Sequence, residues 1–340
     1  MNVLLTGGSG FMGSHFVRFL LSRYDDFGVL NLDKLTYAAD NGRLKDVERQ
    51  FKDRYSFVKG DIADGNLVRR IFEKFKPDVV VDFAAETHVD RSIIEPGSFV
   101  KTDVLGTYTL LEACRSFGIS RYLKVSTDEV FGSTQKGKFT EDSPFAPNSP
   151  YSAAKAGGDL LCRAYAVTYK LPLIVTHFCN FFGAWQYPEK FIPLFITNLL
   201  ENKKVPLYGH GRNQREWIYT DDVSTALDLL LQKGAPGEVY NIGTGQLKEN
   251  WEVATQILQY LKKDSAFIVN VDDRPGHDLR YSVDWSKIKK LGFEPQYTFE
   301  RGLKETIEWY KNNRAWWEPI KYSPEFQAYY KKQYAALSNS

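Results

Sequence analysis

The sequence predicts an α/β fold, built as a doubly wound parallel sheet with a smaller, interleaved α/β substrate domain in the C-terminal part. The first observation is that short apolar runs alternate with segments of helical periodicity over the first half of the chain. The second is a glycine-rich turn directly after the first apolar run. The third is a change of pattern beyond about residue 180, where prolines divide the chain into short pieces.

Each predicted strand of the main sheet is a short apolar run bounded by turn residues or by a helix-like segment. Val3 to Thr6 is the first run, and helical spacing follows the glycine turn after it. Further helices are predicted at 67–75 and 106–117. The later strands are predicted at 29–32, 55–58, 79–83, 122–125 and 173–176. Strands that alternate with helices pair in parallel, with helices on both faces, as in a Rossmann sheet.

The pattern predicts two domains that share the chain unevenly. Residues 1–180 form the dinucleotide-binding domain, and a segment at about 217–245 returns to it. We expect this return because the apolar run Val239 to Ile242 is typical of one more strand of the main sheet. Residues 181–216 and 246–330 form the smaller domain, which we expect to bind the substrate.

The composition argues against several classes of function. The 44 basic and 42 acidic residues give a net charge of +2, and no basic block resembles a nucleic-acid-binding stripe. No apolar run reaches the roughly 20 residues that a membrane-spanning helix needs. The three cysteines have neither metal-ligand nor disulfide-framework spacing. We therefore expect a cytoplasmic protein that binds no nucleic acid, membrane or metal.

The glycine turn is a candidate dinucleotide site. Gly7, Gly10 and Gly13 follow a predicted strand and open a predicted helix, whose N-terminus can present amide groups to a pyrophosphate. Asp33 lies 20 residues beyond Gly13, at the end of the second strand, where a carboxylate can accept hydrogen bonds from both ribose hydroxyls. The same carboxylate would repel a 2′-phosphate, so NAD is favoured over NADP. Asp33 can also be read as a turn or capping residue.

Tyr151 and Lys155 are a candidate base for hydride-transfer chemistry. They are four residues apart at the start of a helical segment, so both side chains lie on one face. A lysine cation beside a phenol favours the phenolate, which can take a proton from an alcohol. The same spacing occurs by chance on helix surfaces, but here it follows a nucleotide-binding turn and a Ser-Thr pair at a strand end.

The adjacent carboxyl groups of Asp128 and Glu129 suggest a second reaction. Two neighbouring carboxyls tend to separate in proton affinity, so one can act as an acid and the other as a base. Successive strand residues point to opposite faces, so the two can act together only if the chain has left the strand and begun to turn. The alternative is a solvated acidic turn.

These motifs resemble those of the extended short-chain dehydrogenase/reductase family, and within it the nucleotide-sugar 4,6-dehydratases that act on dTDP-glucose. The resemblance extends from the glycine turn to the tryptophan pair near residue 317. It depends on the strings TGGSGFMGSH, FAAETHVDRS, STDEVFG, PNSPYSAAKAGGD, YPEKFIP, NQREWIYTDD and RPGHDLRYSVD.

The resemblance implies an enzyme with bound NAD and a defined set of catalytic residues. Tyr151 would take the proton of the glucose C4 hydroxyl with Thr127 hydrogen-bonded to the developing carbonyl, and Lys155 would support Tyr151. Glu129 would then take the C5 proton and Asp128 would protonate the leaving C6 hydroxyl. Hydride removed from C4 would return to C6, so the cofactor would end as it began.

The resemblance also implies two sets of binding residues. The cofactor set is Gly7, Gly10, Phe11, Met12, Gly13, Asp33, Lys34, Thr36, Asp61, Ile62, Phe83, Ala84, Ala85, Thr102, Ser126, Tyr151 and Lys155. The substrate set is Thr87, Thr127, Asn180, Glu189, Lys190, Pro206, Tyr208, Arg215, Asn250, Arg274, His277 and Tyr281. Within it, the two arginines are expected on the diphosphate, because a guanidinium can bind phosphate oxygens bidentately.

The chain departs from the family pattern at two places, and the alternatives remain open. Phe181 and Asp103 each stand where the family usually has asparagine, whereas Arg91 fits the dTDP-glucose group better than its UDP-glucose relatives. A UDP-glucose 4,6-dehydratase and a nucleotide-sugar 4-epimerase are therefore alternatives, although epimerases generally lack the Asp-Glu pair. A non-catalytic dinucleotide-binding sensor is a further alternative of a different class.

Family members usually form dimers, which predicts a homodimer for this chain. Two long helices from each subunit pack into a four-helix bundle in such dimers. The segments 95–117 and 147–170 are the candidates here, although their apolar residues serve either the core or an interface.

Overall fold

The computed structural model describes residues 1–334. Its strands are β1 Asn2–Thr6, β2 Gly28–Asp33, β3 Tyr55–Lys59, β4 Val79–Asp82, β5 Arg121–Thr127, β6 Leu173–Phe178, β7 Asn180–Phe182, β8 Val205–Tyr208, β9 Gln214–Tyr219, β10 Val239–Ile242, β11 Leu247–Glu249 and β12 Ile268–Val271.

The helices include one π-helical segment at Val100–Gly106 and 3-10 turns at Asn41–Leu44, Asp128–Phe131 and Ser265–Phe267. The α-helices are α1 Phe11–Arg23, α2 Lys45–Gln50, α3 Gly65–Phe75, α4 Val89–Ile94, α5 Gly97–Phe99, α6 Thr107–Phe117, α7 Pro150–Tyr169, α8 Phe191–Leu200, α9 Thr220–Lys233, α10 Asn250–Tyr260, α11 Ser286–Lys290, α12 Phe299–Asn312, α13 Arg314–Lys321 and α14 Pro324–Gln333.

The main sheet has seven parallel strands in the order β3-β2-β1-β4-β5-β6-β10. From β1, strands β2 and β3 are added on one side and β4, β5 and β6 on the other. The point between β1 and β4 is therefore the switch point of a doubly wound sheet. The predicted fold class is therefore confirmed. The strand at Val239–Ile242 joins this sheet beside β6.

Most residues of these strands are apolar and buried, because helices cover both faces of the sheet. Val3 and Leu5 belong to the core on one face, and Leu4 belongs to the core on the other. All three are fully buried. Alternate residues of a strand point to opposite faces, so an unbroken apolar run supplies both cores at once.

The C-terminal part adds two small sheets and a separate core. β9 pairs with β7 in parallel and with β11 in antiparallel orientation, while β8 pairs with β12 in parallel. Trp217 and Phe195 share this core with Trp317, which is fully buried. The division into two domains at the predicted boundaries stays a prediction.

No helix within residues 1–334 is both long enough and apolar enough to cross a membrane.

Candidate active site

The glycine turn joins β1 to α1 in a space that only glycine can occupy. Gly7 has a φ of +71°, and a Cβ there would come within 2.8 Å of the backbone at Phe83 and Ala84. A Cβ on Gly13 would lie 2.2 Å from the Gly7 carbonyl oxygen. Within residues 1–334, no side chain caps the N-terminus of α1 at Gly10. The turn therefore brings the start of α1 to the carboxyl end of β1, as anion binding requires.

Asp33, at the end of β2, is held rigidly beside this turn. Its carboxylate accepts hydrogen bonds from the amides of Ser9, at 2.9 Å, and Leu35, at 2.8 Å. Burial raises its pKa, and these hydrogen bonds oppose the rise. Asp33 can therefore stabilise the turn and also bind the ribose, because its hydrogen-bonded carboxylate still lines the cavity.

One cavity runs from the glycine turn to the end of β5. Every residue of the predicted cofactor set lines it, as do the five predicted catalytic residues. From the substrate set, Thr87, Thr127, Asn180 and Lys190 also line it. The structure therefore brings the dinucleotide turn and the candidate catalytic groups together in one space.

Tyr151 and Lys155 lie in the first two turns of α7. Ser149 and Ser152 form a reciprocal capping box with Pro150 at the first helical position, which fixes where the helix begins. Burial raises the pKa of Tyr151 well above its usual value, Glu129 adds to the rise, and a hydrogen bond with the Thr127 side chain opposes it.

The chain leaves β5 at Thr127 and forms a 3-10 turn over Asp128–Phe131. The Thr127 hydroxyl accepts a hydrogen bond from the Glu129 amide at 3.2 Å and caps this turn. The condition that both carboxyls must lie beyond the strand is thus met. Asp128 is 1% exposed, whereas Glu129 is half-buried.

The two carboxyls have different electrostatic surroundings. Burial raises the pKa of Asp128 well above its usual range, and Glu129 and Glu216 add to the rise. Burial also raises the pKa of Glu129, but the positive charges of Arg274, Arg215 and Lys190 oppose that rise. The surroundings raise the pKa of Asp128 more than that of Glu129, which suits an acid beside a base.

Five residues of the substrate set form a cluster next to Glu129. The Tyr281 hydroxyl lies 3.5 Å from Glu129 Oε2, and the Arg215 guanidinium lies over the Tyr281 ring, 4.2 Å from its centroid. Arg215 is further held by hydrogen bonds to the carbonyl oxygens of Asp278 and Leu279.

The other arginine of the cluster is held by an acidic partner. Arg274 Nη1 donates to Asp90 Oδ1 at 2.8 Å, and the Tyr208 hydroxyl donates to the second oxygen of Asp90 at 3.0 Å. The rings of Tyr208 and His277 meet edge to face at 5.9 Å. Asp90 therefore links two of the predicted nucleotide-binding side chains.

The remaining substrate residues lie farther from these contacts. Lys190 donates to the carbonyl oxygen of Thr87. Glu189 is buried and bound to Arg91 and the Tyr37 hydroxyl. Pro206 is in β8, and Asn250 begins α10. None of Glu189, Pro206 or Asn250 lines the cavity.

Sequence reasoning missed two acidic residues beside the site. Asp103 was noted only as a departure from the family pattern, yet its carboxylate lies 3.0 Å from Lys155 Nζ. Asp90 was not singled out, although it is buried and bound to Arg274. The string HVDRS contains Asp90, but nothing in its spacing identifies a partner 184 residues away.

The family model described as GDP-mannose 4,6 dehydratase matches residues 4–306. A dTDP-glucose 4,6-dehydratase of Streptomyces niveus is 48% identical over 96% of this chain and 97% of its own length. The crystal structure of a dTDP-glucose 4,6-dehydratase of Streptomyces venezuelae, with NAD bound, has a TM-score of 0.91 and 49% identity, and covers 94% of this chain and all of its own. A UDP-glucose 4-epimerase of Thermotoga maritima has a TM-score of 0.86 at 30% identity, over 92% of this chain and all of its own.

Proposed function

The chain belongs to the GDP-mannose 4,6 dehydratase family, and we propose that it converts dTDP-glucose to dTDP-4-keto-6-deoxyglucose and water with bound NAD. The observation that carries this proposal is that the neighbouring carboxyls of Asp128 and Glu129, with their unequal surroundings, line the same cavity as Tyr151 and Lys155. The names and bound cofactor of the relatives support the choice of nucleotide sugar and of NAD.

The chain's own residues fit NAD. The uncapped start of α1 at Gly10 and the close packing at Gly7 and Gly13 leave room for a pyrophosphate against backbone amides. Asp33 presents a fixed carboxylate to the adenosine ribose. When bound, NAD supplies the acceptor for hydride from C4 of the sugar and the donor of that hydride to C6.

Tyr151 acts as the base at the C4 hydroxyl. Its raised pKa means that a phenolate forms only with help from nearby positive charge. Lys155, one helical turn along α7, supplies that charge from the chain. The Thr127 hydroxyl accepts from the Glu129 amide and donates to Asp128 Oδ1 at 3.5 Å, and in the reaction its proton turns to the developing C4 carbonyl.

The carboxyl pair performs the elimination. With a carbonyl at C4, the C5 proton is acidic, and Glu129 takes it. Asp128 gives its proton to the C6 hydroxyl, which leaves as water. When hydride has returned to C6, C5 takes back a proton from Glu129. Mutual repulsion and unequal surroundings raise the pKa of Asp128 more than that of Glu129, which suits Asp128 to act as the acid and Glu129 as the base.

Arg215 and Arg274 bind the diphosphate of the substrate, and their charges also lower the pKa of Glu129. The two arginines that bind the substrate therefore also affect the protonation of Glu129, the base at C5. The remaining residues assigned to the sugar, the phosphates and the base are Thr87, Asn180, Glu189, Lys190, Pro206, Tyr208, Asn250, His277 and Tyr281.

We also propose a cytoplasmic homodimer. Leu105, Tyr108, Leu160 and Val167 are each at least 45% exposed, and all lie in the segments predicted to form the bundle. Large apolar side chains on two adjacent helices are the expected surface for a second copy of the chain. All three cysteines are buried and unpaired, which supports a reducing compartment.

The test is incubation of the purified protein with dTDP-glucose, and in parallel with UDP-glucose, without added cofactor. Mass spectrometry should show loss of one water from dTDP-glucose, and Tyr151→Phe should abolish it. Loss from UDP-glucose alone would overturn the nucleotide assignment. A galactose-configured product of unchanged mass would instead support the epimerase.

A further inference from the structure

Asp103 forms a buried ion pair with Lys155 in the wall of the cavity. Lys155 Nζ lies 3.0 Å from Asp103 Oδ1, and the two side chains are 5% and 0% exposed. Within residues 1–334, neither carboxylate oxygen accepts a further hydrogen bond. Lys155 also approaches the Val125 carbonyl oxygen at 3.5 Å. The ammonium group is thus positioned chiefly by Asp103.

The backbone brings Asp103 to this place through two unusual features. The segment Val100–Gly106 is π-helical, a conformation that is rare and is frequent at functional sites. Gly158 of α7 packs against it so closely that a Cβ there would lie 2.5 Å from the Asp103 carbonyl oxygen. The Thr107 hydroxyl donates to that carbonyl at 2.7 Å. These contacts fix Asp103 against α7.

We propose that Asp103 is a positioning residue that holds Lys155 beside Tyr151 and that its negative charge controls how readily Tyr151 gives up its proton. The inference rests on the proposed function, because it assigns Tyr151 as the base at C4. An asparagine at position 103 would hold Lys155 without adding charge. The aspartate offsets part of the lysine's effect, so this enzyme works at higher pH than an asparagine variant of itself.

The charges around the base come from several elements. The groups that act on the pKa of Tyr151 are Asp103 of the π-helical segment and Thr127, Asp128 and Glu129 at the end of β5. Lys155 lies one helical turn along α7 from Tyr151. Burial raises the pKa of Asp103, while Lys155 and Lys124 oppose the rise and Asp82 adds to it. Among these carboxylates, Asp103 is the one that is paired with Lys155, and it takes no proton in the proposed reaction.

The experiment measures kcat/KM for dTDP-glucose against pH in the wild type and in Asp103→Asn. Tyr151 must lose its proton, so activity rises as pH rises through the acid limb. Removal of a like charge should shift that limb to lower pH by roughly one unit, which raises the rate at a fixed acidic pH about tenfold. Asp228→Asn removes a remote carboxylate and should leave the limb in place. Asp103→Ser provides the same test if the asparagine variant does not fold.

A second readout does not depend on turnover. Thermal unfolding of Asp103→Asn, Lys155→Met and the double variant should show that the double variant loses less stability than the two single losses combined. An unmoved acid limb, or additive losses, would overturn the proposal. If the wild type releases no water from dTDP-glucose, the proposed function fails, and the unfolding cycle still tests the ion pair.

Discussion

Glu129→Gln should separate the two halves of the reaction. Glutamine has the size of glutamate and can keep the contact to the Tyr281 hydroxyl, which lies 3.5 Å from Oε2 in the wild type. It cannot accept the C5 proton. Loss of a general base costs about 10²- to 10⁴-fold in rate, so we expect product formation to fall by at least about a hundredfold.

The same substitution should leave C4 oxidation intact. Glu129 is the charged group that raises the pKa of Tyr151 most after burial, so removing its charge lowers that pKa and favours the phenolate. The oxidation step should therefore proceed at least as fast as in the wild type. Oxidised sugar and reduced cofactor should accumulate, because the sequence stops before the C5 proton leaves.

The assay is a single turnover with dTDP-glucose in deuterated water. Absorbance reports the reduced cofactor, and mass spectrometry reports water loss and deuterium at C5. We expect a stable absorbance signal, no water loss and no deuterium at C5. Glu305→Gln, an exposed ion-paired glutamate, is the control and should behave as the wild type. Wild-type product formation in Glu129→Gln, or loss of both absorbance and product, would refute the assignment of Glu129 as the C5 base.

Three further predictions concern the acid, the dimer and the smaller core. Burial raises the pKa of Asp128 in the folded state, so its contribution to stability is lost as pH rises above the unfolded value of about 3.9. Asp128→Asn should be inactive, and its melting temperature should fall less than that of the wild type as pH rises from about 4 to neutral. Leu160→Glu should give a monomer in sedimentation equilibrium, whereas Trp251→Glu, at an exposed position of α10, should stay dimeric; two dimers would contradict the bundle. Trp317→Ala should lower the free energy of unfolding by about 3–5 kcal/mol in urea titrations, because a fully buried tryptophan is removed, and a loss below 1 kcal/mol would contradict its role in the core.

The main sheet was predictable because its signal is local. Each strand is an apolar run covered on both faces, and each run ends near the residue where the structure ends the strand. The glycine turn and the Tyr151–Lys155 pair are local as well, since strand-turn-helix and helical spacing place their side chains. The strands β7, β8, β9, β11 and β12 were not predicted, because short segments between prolines and loops carry little periodicity.

The electrostatics of the site were less predictable because they depend on contacts between distant segments. The sequence showed that Asp128 and Glu129 had to lie beyond a strand, but the 3-10 turn that places them appears only in the structure. Asp103 reaches Lys155 only through the π-helical segment and the close packing at Gly158. Hydrophobic periodicity does not report such pairings, since they arise when helices are already packed together.

The most direct test of the central claim is to follow the C4 hydrogen of the sugar. The purified enzyme would be given dTDP-glucose labelled with deuterium at C4, and the product would be analysed by NMR. We expect deuterium at C6 of a 4-keto-6-deoxy product, because the hydride taken from C4 returns to C6. Deuterium retained at C4, or a product without deuterium, would contradict it.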